Sequence, residues 1–85
     1  MDTELRLDGN AVAGLLGEVL NAEATSALAQ CRVCGAEGAL GTAHVYVHGP
    51  GVVLRCPACS AVLMRFARIR GRLVADLRGV GRLTV

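Results

Sequence analysis

Lysine and tryptophan are absent from this 85-residue chain, and the aromatic side chains number two, Tyr46 and Phe66. A protein that reads single strands by stacking successive bases needs several aromatic platforms, and this chain has few to offer. Large core side chains are equally scarce, and the apolar residues are mostly Ala, Val and Leu. A chain of this size with such a core usually needs a staple: a disulfide framework, a metal or a partner. No apolar run of membrane length is present, and the first ten residues, MDTELRLDGN, carry acids where a secretory leader carries bases. The expected location is cytoplasmic, with no membrane partner. No carboxylate pair stands out, Thr25, Ser26 and Ser60 have no nucleophile context, and no glycine loop precedes a helix to cradle phosphate. An enzyme is not expected, nor a small-molecule substrate. Disorder is excluded by the 53% of residues that are hydrophobic.

Charge is present but unevenly placed. Residues 1–23 hold five acids and one base, a net −4, whereas residues 55–85 hold seven arginines and one acid, a net +6. All nine bases are arginine, which in a chain rich in Ala, Gly, Val and Leu reads as genome composition rather than a need for bidentate contacts. Arg65, Arg68, Arg70, Arg72 and Arg78 gather around one expected hairpin. They are the candidate contacts for nucleic-acid phosphate or for a protein partner. The alternative is that they guard an exposed sheet edge against pairing.

Periodicity gives an α+β chain, mostly β, in a single domain of residues 1–85. An acidic start and short helix occupy 1–24, and an antiparallel sheet with a C-terminal hairpin occupies 25–85. Val12, Leu15, Leu16, Val19 and Leu20 form one apolar stripe on a helix over 11–21, capped by Asp8 or Asn10. Gly14 and Gly17 weaken that helix by roughly 1 kcal/mol each relative to alanine, so it must dock, on the following sheet or on a partner chain. From residue 25 the period changes to two. GTAHVYV alternates Ala43, Val45 and Val47 against Thr42, His44 and Tyr46, and a turn over Gly49–Val52, with its positive φ at Gly51, returns the chain as VVLR. AVLMRFARI and LVADL make a second hairpin around Gly71. RGVGRLTV is either a last edge strand or a frayed tail. His44 and His48 share a strand face with Tyr46, which suits a solvated face better than a second metal position.

What is abundant for the chain's size is cysteine in pairs: Cys31 and Cys34 in CRVCG, and Cys56 and Cys59 in CPACS. Two residues between thiols let one tight turn present both sulfurs to one ion, and two such turns complete a tetrahedron. In a reducing compartment these thiols read as metal ligands rather than disulfides. Gly35 suits the left-handed residue that closes such a knuckle, Pro57 stiffens the second clip, and Ser60 stands where a second glycine is expected. Zinc, one per chain, is the expected ion, with iron as the alternative.

Clip, hairpin and clip followed by further strands resemble a zinc ribbon over residues 26–78. The resemblance implies a metal site and a small sheet, and no particular activity. LDGNA, VLMRFARIRG and DLRG, together with the clips, are also similar to small uncharacterised zinc-ribbon proteins of actinobacteria. The clips resemble those of rubredoxin too, which implies one iron for electron transfer, but the chain lacks an aromatic core and an acidic surface and has Ser60 in the second clip. The expected role is therefore a non-catalytic protein-interaction or accessory module. The alternatives are a nucleic-acid-binding ribbon and an iron electron carrier.

Overall fold

The expected helix forms in two pieces. Asp8, not Asn10, caps it: the Asp8 carboxylate accepts the Asn10 N–H at 3.1 Å and starts a 3-10 turn over Gly9–Val12, which runs into helix α1, Ala13–Leu20. In this computed structural model residues 6–20 and 23–85 are described. Asn21, the expected last helical residue, and Asp2 and Glu4 of the acidic start lie outside them. The apolar stripe turns inward as its spacing requires. Leu16 is fully buried, and Val12, Leu15, Val19 and Leu20 pack against the same core.

The strands among the described residues are β1 (Arg6–Asp8), β2 (Leu28–Cys31), β3 (Glu37–Ala39), β4 (His44–His48), β5 (Gly51–Arg55), β6 (Val62–Ile69), β7 (Arg72–Asp76) and β8 (Val80–Thr84). They form not one sheet but two, a five-stranded sheet in the order β1-β4-β5-β6-β7 and a three-stranded sheet in the order β3-β2-β8. All pairings are antiparallel. The physical reason for the split is that each cysteine clip is itself a hairpin tip. The first joins β2 to β3 in the small sheet, and the second joins β5 to β6 in the large one. The ambiguous tail is a strand: β8 pairs with β2 over Leu28–Cys31 and covers its free edge.

One face of the large sheet makes the core. Val45 of β4, Leu54 of β5, and Met64 and Phe66 of β6 are buried and pack with Leu16. Burying five such side chains contributes on the order of 1.5–3 kcal/mol each before chain entropy is set against it. Ala29 of β2 and Leu63 of β6 extend the core, and the 3-10 turns over Ala24–Ser26 and Leu40–Thr42 add the buried Ala24, Ala27, Leu40 and Ala43. The alternation expected of β4 holds for Ala43 and Val45 but fades at Val47, which is 45% exposed near the strand end.

Both turns of the large sheet have two residues. In the first, His48 pairs with Gly51, and the positive φ falls on Gly49 (57°) rather than on Gly51 as expected. With proline fixing the second position at negative φ, this is the II′ pattern. It matches the right-handed twist of the flanking strands better than the type II turn read from the sequence. In the second turn Arg70 (φ 54°) joins Gly71 (φ 77°), which is the I′ pattern.

Candidate metal centre

The two clips are built on one plan. In the first, Cys31 N–H donates to Ala36 O (2.8 Å) and Gly35 N–H to Cys31 O (3.0 Å). In the second, Cys56 N–H donates to Ala61 O (2.8 Å) and Ser60 N–H to Cys56 O (2.8 Å). The residue after the second cysteine is left-handed in both, Gly35 at φ 80° and Ser60 at φ 66°. Ser60 therefore takes the backbone expected of a glycine despite the cost to an L residue. In each clip the first cysteine is buried and the second exposed.

The four sulfurs lie within 4.8 Å of one another. The contacts run across the clips, Cys31 to Cys59 at 3.7 Å and Cys34 to Cys56 at 3.7 Å, so each buried sulfur faces an exposed one. A tetrahedron with metal–sulfur bonds of about 2.3 Å has edges of about 3.8 Å, so the cluster has the size of a tetrathiolate site. A disulfide would need about 2.05 Å, and the four thiols are free. These four residues can therefore hold a metal ion. Among the described residues they are the one cluster of three or more Cys, His, Asp or Glu side chains with that geometry.

Backbone donors surround the sulfurs. Ala36 N–H points at Cys34 Sγ (3.5 Å) and Ala58 N–H at Cys56 Sγ (3.4 Å). The backbone N–H of Cys34, helped by that of Val33 and opposed by burial, lowers the Cys31 thiol to about 7. Cys59 goes the other way. The Ala61 N–H pulls it down, but burial and the facing thiols of Cys34, Cys31 and Cys56 push it up to about 12. One sulfur of the cluster ionises early and another holds its proton, as expected where like charges crowd.

Further residues hold the centre in place without being legible as part of it. Arg55, immediately before the second clip, donates from Nη1 to Ser60 O at 2.8 Å, and its guanidinium lies 6.0 Å from the Tyr46 ring centroid. Gly79 links the sheets: its C=O accepts Arg32 N–H from the first clip at 2.9 Å, and its N–H donates to Leu63 O of β6 at 3.1 Å. A side chain at Gly79 would run into Val62 O. A cavity of about 210 Å³ lies against the buried sulfurs of Cys31 and Cys56. Ala29 and Ala39 of the small sheet, Ala43 before β4 and Ala58 of the second clip line it, with Glu37 and Thr42 as its polar members.

The arginines do not form one patch. Arg68 is held by Glu18 of α1 (2.7 and 2.8 Å) and Arg78 by Asp76 (2.7 Å to Oδ2). Arg70 sits at a turn, and Arg65 and Arg72 belong to the sheet face opposite Arg68. His44, Tyr46 and His48 do share a face of β4, with the histidines at the two ends of the strand. Among the described residues no helix is long and apolar enough to cross a membrane.

Two antiparallel sheets, one short helix and a four-cysteine cluster at their junction define a small, mostly β protein able to hold a metal ion. The chain belongs to DUF6510, a family of unknown function whose model matches residues 1–85. No curated protein and no solved structure matches it.

Proposed function

We propose that the chain is a non-catalytic zinc ribbon of the cytoplasm, in which Cys31, Cys34, Cys56 and Cys59 hold one structural zinc ion and the exterior serves a protein partner. The observation that carries this reading is the mirrored pair of knuckles, with sulfurs 3.7 Å apart across the clips. A zinc bound by four thiolates has no open position for water or substrate, so its contribution is to the fold. Structural zinc contributes about 10–16 kcal/mol in apparent terms, as much as the whole stability of a typical domain. A small core with a single aromatic side chain, Phe66, gains most from such a link.

Two observations favour a protein partner over nucleic acid. Arg68 and Arg78 are already paired with carboxylates, and the five candidate arginines are divided between two sheet faces and two turns. Iron would fit the same four sulfurs, so the deciding experiment is metal content and visible spectrum after anaerobic purification from cells supplied with both metals. One colourless zinc per chain is expected. One iron with thiolate charge-transfer bands would overturn the zinc reading and make the chain an electron carrier.

A further inference from the structure

Among the described residues the two sheets end in four edge strands, of which β1 and β3 have three residues each and β7 and β8 have five. A long open edge offers unpaired N–H and C=O groups to another strand. We propose that β7 pairs antiparallel with β7 of a second copy of this chain, joining the two large sheets into one continuous sheet across a two-fold axis.

The sequence of the strand carries the inference. Arg72-Leu73-Val74-Ala75-Asp76, laid antiparallel on itself with Val74 opposite Val74, sets Arg72 opposite Asp76 and Leu73 opposite Ala75. Both ends of the strand then meet the opposite charge, which is the favourable cross-strand pairing. The other long edge fails the same test. β8, Val80-Gly81-Arg82-Leu83-Thr84, laid on itself about its centre puts Arg82 against Arg82, and like charges directly opposite destabilise a pair.

The backbone allows this register. Ile69 and Arg72 close a two-residue turn as a hydrogen-bonded pair, so Ile69, Ala67 and Arg65 of β6 direct their polar groups toward β7. Their partners Arg72, Val74 and Asp76 face inward in the ladder, and the backbone groups of Leu73 and Ala75 face out. In the proposed register Leu73 of one copy and Ala75 of the other exchange both of their hydrogen bonds. The Val74 pair falls in the closer, non-hydrogen-bonded position, about 4.5 Å between Cα atoms. Val74 is 50% exposed in the single chain, so the joint also covers apolar surface. Asp76 already holds Arg78, but a carboxylate has acceptor sites left for a second guanidinium. Arg72 is exposed, and its charge is available for the second copy. Five residues per copy bury much less than a standard interface, so the dimer is weak and fills only at high protein concentration.

The test is sedimentation equilibrium of the metal-loaded full chain over a wide range of concentration, beside Arg72→Glu and Ala75→Pro. A monomer–dimer equilibrium in the parent chain is expected, with association weakened roughly tenfold or more in both variants, the loss expected when cross-strand pairs turn repulsive or a ladder bond is removed. The first substitution sets a second carboxylate opposite Asp76. The second removes an outward N–H while leaving the β6 ladder intact. Metal content reports that each variant is folded. Amide exchange in the parent chain gives a second readout free of mutation, with the Leu73 and Ala75 N–H groups becoming protected as concentration rises. A chain that stays monomeric, a dimer unaffected by both variants, or Leu73 and Ala75 exchange independent of concentration would each overturn the proposal.

Discussion

The two cysteine clips follow the same backbone plan with different means. The first closes on Gly35, which adopts φ 80° without a Cβ to obstruct it, and Gln30, just before the clip, donates from Nε2 to its carbonyl oxygen at 3.5 Å. The second closes on Ser60, which must hold φ 66° with a side chain attached, and Arg55 reaches over to bond its carbonyl oxygen at 2.8 Å. Both knuckles are bridged by the residue before their first cysteine, but the bridge over Ser60 is shorter and comes from a charged donor. A departure from a motif at one position can thus be offset by a residue outside the motif, which a search for spacing alone passes over.

The most forceful way to break the comparison is to remove a ligand from each side. Cys34→Ser and Cys59→Ser are both expected to abolish tight metal binding and with it the fold, a loss on the order of 10 kcal/mol, visible as lost amide dispersion in NMR spectra. Equal collapse is expected because the contacts run across the clips, so neither pair can hold the ion alone. If one variant kept a metal-dependent fold, the two clips would not share a site.

A smaller effect separates the closing residues. Gly35→Ala is expected to cost about 1 kcal/mol, the left-handed penalty of an added Cβ, whereas Ser60→Gly should relieve a similar strain and regain at most about 0.5 kcal/mol after the added chain entropy. Denaturant melts of the zinc-loaded proteins would show the opposite signs. A destabilised Ser60→Gly protein would mean that the serine side chain contributes something of its own.

Arg55→Met sharpens the same contrast. It should cost about 1 kcal/mol through the lost bond to Ser60 O and the lost contact with the Tyr46 ring, and slow chelators should then strip metal faster from the variant than from the parent. An unchanged rate of metal loss would remove Arg55 from the account of the second clip.

The smallest effect concerns the turn that leads from β7 toward the linking Gly79. The Arg78 guanidinium and backbone N–H hold the Asp76 carboxyl down at about 2, below the value of about 3.9 for an unfolded chain. As the pH falls, the unfolded chain takes up the proton first, so this contribution is complete above about pH 4 and is lost as the pH falls toward 2. Asp76→Asn should therefore lower stability by the same small amount at about pH 8, 7 and 5.5, all above the window in which the carboxyl titrates. A difference that shrank across that range would show that another group carries the titration.

The chemistry of the chain was readable residue by residue. C-x2-C repeated within a small chain marked the four cysteines that come together, the apolar stripe from Val12 to Leu20 marked the helix, and the period of two marked both hairpins. These signals are local, and each concerns residues only a few positions apart. The turn at Gly49 shows their limit. Pro50 and two glycines announced a turn, but its register was set by the pairing of His48 with Gly51 and the twist of the strands. Ser60 looked like a weakness in the motif because the residue that supports it lies outside the clip.

What the amino-acid sequence by itself determined, then, is which four cysteines could serve one metal ion and where the strand and helix periods run. Only the tertiary structure decided that the strands divide into two sheets, that β8 closes onto β2 from the far end of the chain, that Arg68 is bound by Glu18, and that the complementary strand β7 lies at an open edge. Periodicity and turn chemistry act between near neighbours, whereas these pairings are set by which distant surfaces meet once the chain is closed, and no local pattern encodes that choice.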